Sequence, residues 1–449
     1  MTPTGSPHSR TPEELATRAV AMLRENDLGG WTRAAPRLYP HQWSWDSAFI
    51  AIGLAHLETR RAAQELQTLF AAQWANGKVP HIVFNPAAVD YAPGPDWWGS
   101  ALSPEAPAGI VASSLCQPPV HAIAAWRIHE TAVRRGGAEA DAAGNFLRDL
   151  YPRLFAWHRF LATARDPESS GLVTIYHPWE GTDNSPRWDG ALATLTMGAL
   201  PPYARSDIQR VGDATQRPTR AEYDRYRWLV ELLKGARHDE AAIYRTHPFL
   251  VKDVLFSAIF VAANEALLAI AATVGADDDE CARLAAWRDR GRRGLDERWD
   301  DDLGLCLDYD LRAGAAVRTR TVAGFAPLIA GGLAPARLHA LLATLDSPAW
   351  LGHPRLRWPV PPSTSPDDPA FEPRRYWRGP TWPVMNWLLW WSLGRVGETA
   401  RAETLRRASL DQLLSGGLAE YFEPFTGESL GAPEQSWTAA FALDWLGAG

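Results

Sequence analysis

Cysteine is scarce: Cys116, Cys281 and Cys306 are the only three in 449 residues, far apart and odd in number. That excludes a disulfide framework and gives no zinc-ligand spacing, so they read as small core residues and no metal is expected. Lysine is as rare, with only Lys78, Lys234 and Lys252, and 45 basic residues stand against 52 acidic ones for a formal charge of −7. Nothing in that balance suggests a nucleic-acid partner. Residues 1–10 are polar and lack an apolar run or a small-residue cleavage pattern, which argues against a secretory signal and for a cytoplasmic protein. The most apolar run, Val254 to Val274, carries Asn264 and Glu265 at its centre. A mid-bilayer charge costs roughly 2.5–3.5 kcal/mol on insertion scales, so the run reads as a buried helix and no membrane association is expected. Strand-like alternation is short and rare, best at 173–176 and 305–309, and supports no βαβ unit.

What is abundant is helix and tryptophan. With 46% hydrophobic and 22% charged residues the chain has an ordinary globular balance, and no linker divides it, so 1–449 reads as one folded domain. Thr11-Pro12-Glu13-Glu14 has the pattern of a capping box with proline at the first helical position. Apolar periodicity predicts helices at about 15–25, 46–57, 60–73, 119–134, 145–164, 220–235, 251–274, 279–298, 322–331, 335–345, 382–393, 398–414 and 434–446. The acidic run 277–280 suits a helix N-terminus. An all-α chain of this length is a solenoid, a globin-like pile or a closed ring of helix pairs, and the lack of a repeated period disfavours a simple solenoid. Three loops rich in proline and glycine, 85–109, 181–217 and 347–380, interrupt the helices, and long ordered loops usually carry function. Many of the 22 tryptophans fall in or near them, outside helical periodicity. Aromatic faces hold the C–H faces of sugars, which raises the case for carbohydrate binding, although protein-partner surfaces use tryptophan too.

Four segments combine tryptophan with carboxylate: Tyr39-Pro-His-Gln-Trp-Ser-Trp-Asp46, His177-Pro-Trp-Glu-Gly-Thr-Asp183-Asn-Ser-Pro-Arg187, Tyr376-Trp-Arg-Gly-Pro-Thr-Trp-Pro383, and Glu420-Tyr-Phe-Glu-Pro424 with Glu434-Gln-Ser-Trp437. Glycoside cleavage needs one carboxylic acid for the leaving oxygen and one carboxylate for water or attack, framed by aromatic and polar groups. In these four ordered motifs the chain resembles, over nearly its full length, the mannosylglycerate and glucosylglycerate hydrolases, a bacterial branch of glycoside hydrolase family 63 related more distantly to trehalases. The resemblance implies an all-α (α/α)6 toroid with long Trp-rich active-site loops, no cofactor, and an inverting two-carboxylate mechanism. Inverting carboxyl pairs stand roughly 6.5–9.5 Å apart, against about 5 Å in retaining ones.

By motif position the resemblance implies Asp183 as general acid and Glu420 as general base, with Glu423 competing for the second role. An acid that keeps its proton at neutral pH should have a raised pKa. Asp46 is expected to accept sugar hydroxyls, Trp43, Trp377 and Trp382 to wall the ring, and Gln435 to face the water side. Tyr39, His81, Tyr91 and Gln117 are further candidates, as are Trp179, Glu180 and Tyr376 within the motifs. Glu180-Gly-Thr-Asp183 is one residue shorter than the wider family's spacing, which puts the placement of Glu180 in question. Arg217 and Tyr223 match the branch's acid-binding positions, where a planar guanidinium suits the carboxylate of a glycerate aglycone. Most neighbouring arginines, Arg220, Arg225 and Arg227, read as solvated helix charges. The expected partner is a small glycosylglycerate, glucosylglycerate before mannosylglycerate. A trehalase-like or exo-α-glucosidase activity and a non-catalytic sugar-binding protein are the rivals, and oligomeric state, a homo-oligomer included, stays open.

Overall fold

The computed structural model describes residues 11–447; the polar stretch 1–10, on which the reading of no secretory signal rests, lies outside them. Among the described residues twelve helices build the body: α1 (Pro12–Asn26), α2 (Ser44–Leu57), α3 (Thr59–Ala71), α4 (His121–Arg135), α5 (Gly137–Thr163), α6 (Val254–Val274), α7 (Asp278–Asp296), α8 (Ala326–Ala330), α9 (Pro335–Asp346), α10 (Pro383–Arg395), α11 (Thr399–Gly416) and α12 (Ser436–Gly447). The even-numbered helices pack side by side in chain order, and α12 returns onto α2, so the ring closes. Around it α1 lies on α12, α3 on α2, α5 on α4, α7 on α6 and α11 on α10. The fold is an (α/α)6 toroid.

Side-chain pattern decides which helix goes inside. α2, α6 and α12 are apolar nearly all round, and such a helix is stable in water only when covered on every side. In α6 the residues that spoke against a membrane span find partners. Asn264 is buried and bonds His158 Nδ1 at 2.9 Å, while Glu265 pairs with Arg292 and Arg395 at 2.8 and 3.0 Å. Outer helices are amphipathic: α3 buries Ala62, Leu66, Leu69 and Phe70 along one face. Side-chain caps mark some of the starts. Thr11 Oγ1 accepts from Glu14 N–H, and Asp277 caps α7 ahead of three acidic residues.

Several boundaries moved for identifiable reasons. α5 begins at Gly137, well before the expected 145, because 137–144 is alanine-rich and holds helix by propensity without a large apolar face to reveal it. The expected helix 322–331 is a 3₁₀ turn, Val322–Phe325, followed by the single turn of α8. The alternation at 305–309 belongs to two strands: Leu305–Cys306 pairs with Trp299–Asp300, and Tyr309–Asp310 joins a four-stranded antiparallel sheet with Thr174–Ile175, Val251–Lys252 and Ala315–Ala316. The predicted 220–235 helix is present as Arg220–Gly235, a separate element with a full capping box between Thr219 and Glu222.

Candidate active site

The N-terminal ends of the inner helices gather at one face of the ring. Asp46 lies in the first turn of α2, Gln117 precedes α4, Trp382 caps α10 and Gln435 precedes α12. These residues line one pocket, concave and built from aromatic walls with a few convergent polar groups as small-molecule sites are. Of the site residues expected from sequence, Glu180 and Glu423 do not line it, and the others do: Tyr39, Trp43, Asp46, His81, Tyr91, Gln117, Trp179, Asp183, Arg217, Tyr223, Tyr376, Trp377, Trp382, Glu420 and Gln435.

The walls are aromatic. Trp377 and Trp382 stack with centroids 3.9 Å apart, Tyr421 stacks behind Trp382 at 4.5 Å, and Trp45 meets Trp437 edge-on at 5.4 Å. The second wall is Trp98, Trp179 and Tyr223, with Trp179 at 5.8 Å from Trp98 and 5.6 Å from Tyr223. His81 packs on Trp98 and bonds Ser113; burial holds its pKa near 3, so it is a neutral ring. Tyr376 sits in the left-handed region at φ 41°, which costs on the order of 1–3 kcal/mol in a non-glycine residue and is kept where surrounding contacts fix it. Here Arg217 lies over its ring at 4.0 Å, and its hydroxyl is 3.3 Å from that of Tyr39.

Asp183 ends a tightly held turn. His177 caps the 3₁₀ turn Pro178–Glu180, and Asn184, directly after the acid, takes φ 60°, a conformation asparagine tolerates better than most residues. Arg187 then anchors the loop: it donates to Thr182 Oγ1 at 2.7 Å and to Asp308 at 2.8 Å, with Asp253 at 3.3 Å. Asp183 opens onto the pocket but its carboxyl is otherwise enclosed by protein, and that burial is what lifts its pKa to about 8; Arg217 opposes the rise, while Glu420 and Asp207 add to it. It is therefore protonated at neutral pH, the state an acid catalyst needs.

Glu420 lies between α11 and the strand Tyr421–Phe422. One carboxylate oxygen accepts from Tyr39 O–H at 2.8 Å and the other from Ala432 N–H at 2.9 Å. Gly431, at φ 70°, passes so close to Glu420 that a Cβ would collide with the carboxylate, so glycine is required there. Burial raises the Glu420 pKa above its usual range, and Arg217, the Ala432 amide and Tyr39 pull it back. Asp46 is buried beside two other carboxyls; burial, then Glu420, hold it well above the usual carboxylate range. It accepts from Gln435 Nε2 at 3.2 Å, so in its protonated state it would offer a sugar one donor as well as the acceptor expected from sequence.

A model of the mannosylglycerate hydrolase MGH1-like glycoside hydrolase domain matches residues 39–438, from the first motif to just past the last. The chain belongs to that family. It is a glycoside hydrolase. Over 445 residues it is 48% identical to the glucosylglycerate hydrolase of Mycolicibacterium hassiacum, covering 98% of this chain and 100% of that one. It is 41% identical to the mannosylglycerate hydrolase of Thermus thermophilus, with 95% and 99% coverage. A solved glycoside hydrolase family 63 mannosylglycerate hydrolase from Thermus thermophilus, in complex with Tris and D-glycerate, superposes with TM-score 0.88 at 40% identity over 96% of this chain and 99% of that one. The neutral trehalase of Saccharomyces cerevisiae, at 15% identity over 93% of this chain and 73% of its own, shares the fold at TM-score 0.59.

In this glycoside hydrolase Glu180 is a correction to the sequence reading. It is fully buried away from the pocket, where Arg165 donates to both its oxygens at 2.8 and 3.0 Å and Cys116 N–H and Tyr176 N–H add to the set. Although burial raises its pKa, Arg165 and these donors bring it down to about 2, so it is an ionised structural pin behind the Asp183 loop. Glu423, the competitor for the base, instead accepts from Phe425 N–H, Thr426 N–H and Thr426 O–H within its own turn. Of the neighbouring arginines, most of them expected to be solvated, Arg220 keeps an exposed side chain but Arg227 is buried over Trp97 at 4.0 Å. Asp207, Trp45, Trp98 and Trp437 line the pocket but were not singled out. Trp45 and Trp437 lie inside the Trp-rich motifs, whereas Asp207 stands in the short helix Ser206–Arg210 with no motif around it.

Proposed function

We propose that the chain hydrolyses glucosylglycerate, and mannosylglycerate with it, to hexose and D-glycerate by a single inverting displacement. Asp183 protonates the glycosidic oxygen as the bond breaks. Glu420, with one lone pair of each oxygen engaged by Tyr39 and Ala432, takes the proton of a water attacking the opposite face. The Trp377 and Trp382 stack walls the hexose, with Asp46 and Gln435 on its hydroxyls.

The observation that carries the substrate class is Arg217. Among the described residues it is the one arginine or lysine lining a pocket that holds four carboxyls, those of Asp46, Asp183, Asp207 and Glu420. It is 7% exposed, donates to the Tyr39 hydroxyl oxygen at 2.9 Å, and leaves its Nε without a hydrogen-bond partner. A buried guanidinium whose Nε makes no hydrogen bond, with Asp207 held 3.6 Å off, suits an anionic leaving group near the acid. The M. hassiacum relative named glucosylglycerate hydrolase supports the gluco preference. Arg217→Ala should lower kcat/KM on glucosylglycerate about a hundred- to a thousand-fold, as loss of a buried charge partner usually does, and lower it far less on uncharged glucosylglycerol. Equal losses on both substrates would remove the acid clamp from the mechanism.

The pH profile has a definite sign. The protonated acid is lost as pH rises through the Asp183 pKa of about 8, so kcat/KM should fall on the alkaline side near that value. The ionised base is lost as pH falls toward the raised pKa of Glu420, so the acid limb should lie above the range of an ordinary glutamate. Initial rates across pH check both limbs, and an alkaline limb far below 8 would contradict the assignment of Asp183 as the acid.

A further inference from the structure

Asp207 is the pocket carboxyl that the mechanism above does not use. It sits in the short helix Ser206–Arg210 between two arginines. Arg205 takes it with both arms of its fork, Nε to Oδ1 at 3.1 Å and Nη2 to Oδ2 at 2.6 Å. Arg205 is itself fixed, donating to Pro218 O at 2.8 Å and lying over the Tyr223 ring at 4.1 Å. The Nε of Arg217 is 3.6 Å from Asp207 Oδ2, too far for a hydrogen bond, and it has no other partner. Although burial works to raise the Asp207 pKa, the Arg205 hydrogen bonds and the charge of Arg217 leave it below the usual range. A fixed negative charge thus stands beside the free edge of the only cationic side chain that lines the pocket among the described residues.

We propose that Asp207, tethered by Arg205, sets the grip of the aglycone end of the pocket on anions: it weakens the hold of Arg217 on a carboxylate and so favours release of the anionic product. This rests on the reading of Arg217 as the aglycone clamp. Held by Arg205, Asp207 cannot close onto Arg217 and block it. Close to Arg217, it repels any second carboxylate that arrives there. Two anions a few ångströms apart at low dielectric repel by enough to change affinity several-fold, and the product carries the same carboxylate as the substrate. A clamp without this counter-charge would bind D-glycerate more tightly after cleavage and delay turnover.

The test is product inhibition of the full-length enzyme by D-glycerate and, as its uncharged counterpart, glycerol, in wild type, Asp207→Asn and Arg205→Gln. Thermal melting checks that each variant is folded. Asp207→Asn should lower the ratio of Ki for D-glycerate to Ki for glycerol roughly five- to twenty-fold, since a like charge is removed at short range. Arg205→Gln frees Asp207 to pair fully with Arg217 and should raise that ratio, so the two variants move in opposite directions and each tests the idea without the other. An unchanged or raised ratio in Asp207→Asn overturns the proposal, the raised one by making Asp207 itself a ligand of the aglycone. If wild type does not prefer D-glycerate to glycerol at all, the acid-clamp reading fails first, whatever the variants do.

Discussion

Asp183→Asn should lower kcat on glucosylglycerate by about 10²–10⁴-fold, the range usual for losing a general acid, with little change in KM. Asparagine fills the same volume and keeps hydrogen-bonding capacity, so the turn held by Asn184 and Arg187 remains, but the amide has no proton to give. The deficit should depend on the leaving group. Glycerate departs as a poor alkoxide and needs protonation, whereas an aryl glycoside with an acidic phenol does not. The variant should therefore recover much of the wild-type rate on the activated aryl substrate. An equal loss on both would make Asp183 a structural residue.

Glu420→Gln should cost a similar factor, about 10²–10⁴-fold, through the other half of the reaction. Without a base, water attacks slowly, but a small anion that needs no deprotonation can enter in its place. Added azide should raise turnover of an activated α-glycoside by Glu420→Gln and yield the β-glycosyl azide. Glutamine can keep the Ala432 N–H bond through its one oxygen and donate its NH2 to the Tyr39 hydroxyl oxygen, so the side chain stays in position and the loss reports chemistry. Glu423→Gln, by contrast, touches only its own turn and should leave kcat near wild type. Azide rescue of Asp183→Asn on glucosylglycerate, with none in Glu420→Gln, would reverse the two roles.

Much of this site is visible in the sequence because its parts lie in runs. Trp43 to Asp46 is a strand end and a helix start, and Glu420 to Gln435 joins α11 to α12 through a hairpin, so neighbours in sequence are neighbours around the pocket. The ring itself shows in the all-round apolarity of α2, α6 and α12, which no solvent-facing helix could carry. What sequence reading missed depends on where a side chain turns. Glu180 and Asp183 sit three residues apart in one motif, yet one points back to Arg165 and the other into the pocket, and only the burial of Arg165 explains the difference. Asp207 is invisible in one dimension because its meaning comes from Arg205 and Arg217, brought together by loop folding. The start of α5 was hidden for a milder reason, since alanine favours helix without marking a face.

The central claim is an inverting cleavage of an α-linked glycosylglycerate, and proton NMR of the enzyme mixed with glucosylglycerate, mannosylglycerate and trehalose tests it most directly. The account predicts that glucosylglycerate is consumed fastest and that the first anomeric signal to appear is that of β-glucose, with the α-anomer growing only as mutarotation proceeds. Release of α-glucose first, or consumption of trehalose with the two glycosylglycerates untouched, would contradict it.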